Sequence, residues 1–228
     1  MGSGTKRHSK PSRHTRRAQA TRNKLLDAAR SLFAEKGFNL TSIDDITKRA
    51  DVGKGTFYYH FSNWEEIIEA LVTRMLDELL AVMEENCRDI SDLKGILDAL
   101  IGAHIKFFCN RWEDFVLFFQ SRTELTLEQS YESIETPFLE YLKRVEDILA
   151  PTIQRQLPQP ILRRIACAVV GFVSGYYSFA SIVSQEEDVD QTFRSLRGAM
   201  VASLARFIQE ATPPLETEEQ NPGGINLT

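Results

Sequence analysis

Apolar residues recur along this chain at spacings of three and four, which predicts helices almost throughout. Leu25, Ala28, Ala29, Leu32 and Phe33 form one face of a first helix ending at Gly37. A short helix is expected over about 41–50, with Thr41 or Ser42 as its cap and Asp44 and Asp45 in its first turn. Asp51-Val52-Gly53 reads as a tight turn, and a second short helix covers about 54–61. Asn63 caps the next helix, whose stripe of Ile68, Leu71, Met75, Leu79 and Val82 runs to about Asn86. Further helices are predicted over 92–109, 113–123, 133–156, 160–183 and 189–210, with Pro137 marking a true start or a kink in the third of these. No loop separates Phe61 from the helix at 63, so a rigid joint is expected there.

Charge divides the chain more sharply than hydropathy does. Residues 1–61 hold 13 Lys and Arg against 5 Asp and Glu, whereas residues 62–228 hold 14 against 27. Such asymmetry suits one end that meets a polyanion and another repelled by it. The first 26 residues carry eight bases and no acid, which fits nucleic-acid contact or merely a solvated basic tail. Cys87, Cys109 and Cys167 are odd in number and widely spaced, as in a reducing cytoplasm, where the protein is expected. His8, His14, His60 and His104 share no metal-ligand spacing with them, so neither a metal nor a cofactor is expected. With no Gly-rich phosphate loop, paired histidines or nucleophile elbow, an enzyme is not expected either.

Two short helices around a tight turn, about twenty residues over 41–61, have the layout of a helix-turn-helix unit. Ile43, Ile46, Ala50, Val52, Phe57 and Phe61 fall where such a unit needs internal contacts. The remaining positions of the second helix are Lys54, Gly55, Thr56, Tyr58, Tyr59 and His60: hydrogen-bonding side chains and one position without bulk. The alternative is a small amphipathic hairpin with a few surface aromatics.

Residues 21–71 resemble the DNA-binding region of the tetracycline-repressor (TetR) family. The resemblance rests on the run from Thr41-Ser42-Ile43 through Gly53-Lys54-Gly55-Thr56-Phe57-Tyr58-Tyr59-His60-Phe61, preceded by Ala28 to Phe38. It implies that Ser42, Tyr58, Tyr59 and His60 hold phosphates, that Lys54, Gly55 and Thr56 face base edges, and that Lys48 lies near the backbone. Two positions depart from the family pattern. Asp51 replaces a frequent glycine, although Asp tolerates left-handed geometry; Trp64 replaces a lysine that often holds phosphate, so one anchor is lost or replaced by indole packing. Arg13, Arg16, Arg17 and Arg22 of the basic arm are candidates to compensate.

The expected fold is therefore all-α, with an N-terminal three-helix helix-turn-helix DNA-binding domain joined to a larger helical ligand-binding and dimerisation domain. The boundaries are a basic flexible arm over 1–20, the DNA-binding domain over 21–62, the larger domain over 63–211 and a disordered tail over 212–228. Small-residue lines, Ala168, Gly171, Gly175 and Ser178 on one helix and Gly198, Ala202 and Ala205 on the last, suit close helix packing in a homodimer or within one subunit. Thirteen of the 22 aromatics fall between 107 and 179, pointing to a hydrophobic or aromatic effector or to a filled aromatic core. The candidate effector residues are His104, Phe108, Phe115, Phe119, Gln120, Tyr141, Phe172 and Tyr176, with His104 equally suited to a core hydrogen bond. The charge-free run 165–183 has the length of a membrane span, but its serines, tyrosines and glycines favour a helix buried all round inside the protein or an oligomer, so no membrane partner is expected. The function so implied is a ligand-responsive regulator of transcription. It would be a repressor released from double-stranded, palindromic DNA by a small molecule; the alternative is an architectural or cell-division protein of this fold that binds DNA without a ligand.

Overall fold

The computed structural model describes residues 12–109, 111–127, 132–153, 157–183 and 189–211, and among these it contains helices and no strand. The helices are α1 (Arg13–Lys36), α2 (Ile43–Arg49), α3 (Lys54–His60), α4 (Trp64–Cys87), α5 (Leu93–Cys109), α6 (Trp112–Leu127), α7 (Glu132–Leu149), α8 (Gln159–Val183) and α9 (Val189–Ala211). The predicted tail over 212–228 lies outside the described residues.

Helix α1 starts at Arg13, so residues 13–20 are helical where a flexible arm was expected. Ser12 supplies the missing start signal: its backbone is extended and its Oγ accepts the Thr15 N–H at 3.1 Å. The helix turns its face of Leu25, Leu26, Ala28, Ala29, Leu32 and Phe33 inward. It stops at Gly37, whose φ of +81° few side chains tolerate and whose N–H closes on the Phe33 carbonyl at 2.9 Å.

At α2 a reciprocal cap forms: Asp45 N–H donates to Ser42 Oγ at 3.2 Å, and Ser42 N–H donates to Asp45 Oδ2 at 2.9 Å. Asp51 takes φ +55° in the following turn, the left-handed geometry expected of it. Asn63 caps α4 by accepting the Glu66 N–H at 2.9 Å, while Glu66 Oε2 accepts from Ser62 N–H at 2.6 Å. The chain thus passes from α3 to α4 through a short hydrogen-bonded corner without an intervening loop.

One continuous apolar core runs from Leu25 in α1 to Ile208 in α9, so the residue-62 boundary is not a gap in packing. Helix α4 lies against α5 and α7, α5 against α9, and α1 against α6. Bidentate pairing of Arg197 with Asp98 pins α9 to α5, with Arg197 Nη2 also donating to the Asp98 carbonyl at 2.8 Å. Gly102 makes room for this guanidinium, since a Cβ there would lie 2.6 Å from Arg197 Nη2.

The helix expected over 133–156 ends instead at Leu149 and tightens into a 3-10 turn over Ala150–Thr152. Pro151 is the reason, because it lacks the N–H that would continue the ladder. Pro137, by contrast, is accommodated inside α7. Within the single chain α8 buries one face only: Ile165, Val169, Val170 and Val173 face the core while Phe172 and Phe179 are exposed. No helix among the described residues is long and apolar enough to cross a membrane.

Candidate functional site

Helix α3 is fixed from below by Phe57 and Phe61, both fully buried. Anchored there, the seven-residue helix presents Tyr58 and Tyr59 outward, 57% and 68% exposed. Each ring offers an apolar face and a hydroxyl that can donate a hydrogen bond. At the helix start, a Cβ built on Gly53 or Gly55 would meet nothing within 4 Å, so crowding inside the chain does not explain these glycines. Lys54 points outward and its Nζ lies 2.6 Å from Asp44 Oδ1, which steers the ammonium across the front of the unit. Thr56 is half-buried, and Lys48 is exposed in the last turn of α2.

Two of the predicted DNA-facing residues are already engaged. Ser42 Oγ donates to Asp45 Oδ2 at 2.7 Å besides capping α2. Lys36 Nζ, 2.8 Å from the same carboxylate, and the Ser42 donors hold the Asp45 pKa far below the usual carboxylate range. His60 is partly buried between Tyr59 and Phe61; burial first, then the Arg22 guanidinium, lowers its pKa and keeps the ring neutral near pH 7. Arg22 lies over the Phe61 ring at 5.0 Å, bringing the α1 cation beside the end of α3. Trp64 packs edge-on against Phe33 at 5.2 Å, so the indole ties α4 to α1 where the family pattern has a lysine.

Sequence periodicity gave no sign of a polar joint between α1 and the body. Arg30 Nε lies 3.0 Å from Glu113 Oε2, Arg30 Nη1 lies 3.5 Å from the buried Asp114, and Ser31 Oγ donates to Glu113 Oε1 at 2.8 Å. Arg111 pairs with Asp114, reaches Glu78 of α4 at 2.6 Å and lies over the Phe107 ring at 4.3 Å. Arg74 of α4 pairs with Asp27 of α1 at 3.0 Å. The helix-turn-helix unit is therefore gripped by both α4 and α6. The adjacent acids Glu113 and Asp114 in the first turn of α6 were the available signal, although such acids usually serve only the helix N-terminus.

Of the eight candidate effector residues, His104, Phe108, Phe115 and Tyr141 are buried together. Leu100 O can only accept, so His104 Nδ1 carries the proton at 2.7 Å, and Nε2 accepts the Tyr141 O–H at 2.5 Å. His104 is thus a satisfied core histidine, its pKa lowered by burial. Gln120 is half-buried with no partner for its Oε1, and its Nε2 lies 3.7 Å from the position of a Cβ on Gly37. Tyr176 is half-buried, while Phe119 and Phe172 are 46% and 43% exposed and so lie away from the enclosed cluster.

An open cleft of about 650 Å³ lies instead between α4 and α7; its described lining includes Tyr141 and none of the other seven. Along α8 and α9, Phe179 is 72% exposed, Leu196 and Phe207 are open, and Cβ atoms on Gly171, Gly175 and Gly198 would meet nothing within 4 Å. Ala205 departs from its predicted line and is buried within the subunit.

Residues 25–71 match the family described as bacterial regulatory proteins, tetR family. The chain is 31% identical over 130 residues to the uncharacterized HTH-type transcriptional regulator YvdT of Bacillus subtilis, covering 57% of this chain and 66% of that one. It is 32% identical over 91 residues to the HTH-type transcriptional repressor KstR2 of Rhodococcus jostii, covering 40% and 45% respectively. These matches span less than two thirds of either relative. In fold it is similar to the transcriptional regulator FadR of Bacillus subtilis, solved in complex with stearoyl-CoA, at a TM-score of 0.62 and 22% identity over 84% of this chain and 99% of that one. With its helix-turn-helix unit and capped corner, the segment 25–71 carries the DNA-binding region of the tetR family of bacterial regulatory proteins, and the helical body that follows shares the fold of such regulators.

Proposed function

We propose that this protein is a homodimeric, DNA-binding regulator of transcription that represses from a near-palindromic operator in the cytoplasm and is released by a hydrophobic or aromatic small molecule. The observation that carries the reading is the outward face of α3, where open Tyr58, Tyr59 and Lys54 stand on buried Phe57 and Phe61. Lys54, Gly55 and Thr56 face base edges; Tyr58, Tyr59, His60 and Ser42 take phosphates, with Lys48 beside them. Ser42 does so by turning its hydroxyl from Asp45, and His60 as a neutral donor that gains a proton when a phosphate approaches. A seven-residue helix reads too few bases for genomic selectivity, so two copies are needed. The open strip on α8 and α9 suits their pairing.

The functional units are 21–62 for DNA and 63–211 for the effector and the partner subunit, with α1 reaching back to Arg13. Release is mechanical: an effector that shifts α4 or α6 pulls on Asp27, Arg30 and Ser31 of α1 and alters the separation of the two α3 helices. A coupling of about 1–3 kcal/mol is enough. Selection of bound sequences from random DNA, with the mass of the complex measured on the same sample, tests the reading. Recovered half-sites in inverted repeat are expected; protein that retains no DNA at low ionic strength refutes it.

A further inference from the structure

The cleft between α4 and α7 has an apolar floor and an uneven charge balance. Leu76 and Leu80 of α4 and Pro137, Leu139 and Tyr141 of α7 form the floor. Around the rim stand three acids, Asp77, Glu84 and Glu140, and two bases, Lys143 and Arg144. Both bases are already neutralised: Arg144 pairs with Glu84 across the cleft, and Lys143 pairs with Asp147 at 2.5 Å. Asp77 and Glu140 have no ion pair or hydrogen bond among the described residues, so the uncompensated charge at the mouth is negative and comes from both walls. A volume of about 650 Å³ is that of a small-molecule site. An apolar body on the floor would place a cationic group between Asp77 and Glu140, whereas an anionic group there would meet two carboxylates that no base pairs.

Position adds a consequence. Asp77 lies between Arg74, which holds Asp27 of α1, and Glu78, which holds Arg111 beside Asp114. One turn of α4 therefore carries the cleft wall and both of its polar links toward the DNA-facing unit.

We propose that this cleft is the effector site and that its ligand is an amphiphilic cation, an apolar body bearing a positively charged group. The inference rests on the regulator reading above and gives that reading a place and a ligand class. Occupancy pushes α4 from α7 and transmits the shift through Arg74 and Glu78.

Calorimetric titration of the full chain without DNA tests it, using decyltrimethylammonium and decyl sulfate, which share a tail, both below their micellar concentrations. Unaltered protein is expected to bind the cation at least about tenfold more tightly than the sulfate, the sum of two partly solvated charge pairs. The doubly substituted Asp77→Asn/Glu140→Gln protein should lose about tenfold in cation affinity and little for the sulfate. These are exposed rim side chains, so the fold should survive. Ala81→Trp, which fills the exposed lip, should abolish binding of both probes. Absence of cation binding, equal or tighter binding of the sulfate, or a cation affinity unchanged by either variant overturns the proposal. DNA binding measured on the same samples separates the two claims. Cation binding by protein that ignores DNA keeps the site and refutes the regulator; DNA binding without cation binding does the reverse.

Discussion

Asp51 shows how one residue carries local geometry that composition cannot reveal. Its φ of +55° costs most L-residues about 1–2 kcal/mol, less for Asp, and nothing for Gly. Asp51→Gly should therefore leave the denaturation midpoint unchanged or slightly raised, while Asp51→Val should lose about 1–2 kcal/mol in urea unfolding. His104 makes a pH-dependent contribution of definite sign. Its folded pKa is lowered by burial, so the unfolded chain binds the proton more readily. Stability is fully present above the ordinary histidine value of about 6.5 and is lost as pH falls below it toward the folded pKa. His60 shifts the same way and adds to that loss, so His104→Gln should reduce the slope between those limits without abolishing it. Urea midpoints measured across that range check this; a slope equal to that of the unaltered protein would exclude His104 as a source.

Among the elements, the joint between α1 and α6 decides how firmly the helix-turn-helix unit is held. Arg30 is partly buried and faces both Glu113 and the buried Asp114, so Arg30→Met leaves Asp114 with Arg111 alone. A stability loss of about 1–2 kcal/mol is expected, with non-additivity in a double-mutant cycle with Glu113→Gln. Strict additivity would mean that the contact is idle. This joint was not legible in the sequence, whereas α2, the turn and α3 were. The difference is physical: buried Ile46, Phe57 and Phe61 impose a helical period that can be read locally, whereas Arg30 and Glu113 meet only after the chain has returned across more than eighty residues. The first turns of α1 were hidden for a related reason, since Arg13 to Asn23 carry almost no apolar period and are betrayed only by the Ser12 cap. Pro151, in contrast, was a stop written in the sequence that the expectation of a helix over 133–156 ran through. The aromatic concentration correctly marked a dense region, but composition could not distinguish the closed His104–Tyr141 core from the open cleft beside it.

At the scale of the molecule, DNA affinity is expected to depend on two copies acting as one rigid pair. Neutralising Arg16 and Arg17, exposed on the first turns of α1, removes four cations from a dimer. If all four meet phosphates, the slope of log affinity against log salt should flatten by about three to four. An unchanged slope dismisses this end of α1 from the interface. The pairing itself has a sharper test. Phe172 and Phe179 stand on α8 outside the enclosed core, beside glycines that leave the backbone open to close approach. Replacing both with Glu should leave helix content intact, because neither belongs to the buried cluster. Carboxylates on a self-complementary face would meet their own copies, which disfavours association as well as removing apolar area. Sedimentation should then report a monomer. Affinity for the full palindrome should drop about 10²–10⁴-fold, the advantage that linkage of two half-site contacts supplies, while affinity for an isolated half-site stays the same. A doubly substituted protein that remains dimeric would move the subunit contact to another face and leave the open strip on α8 and α9 without an occupant.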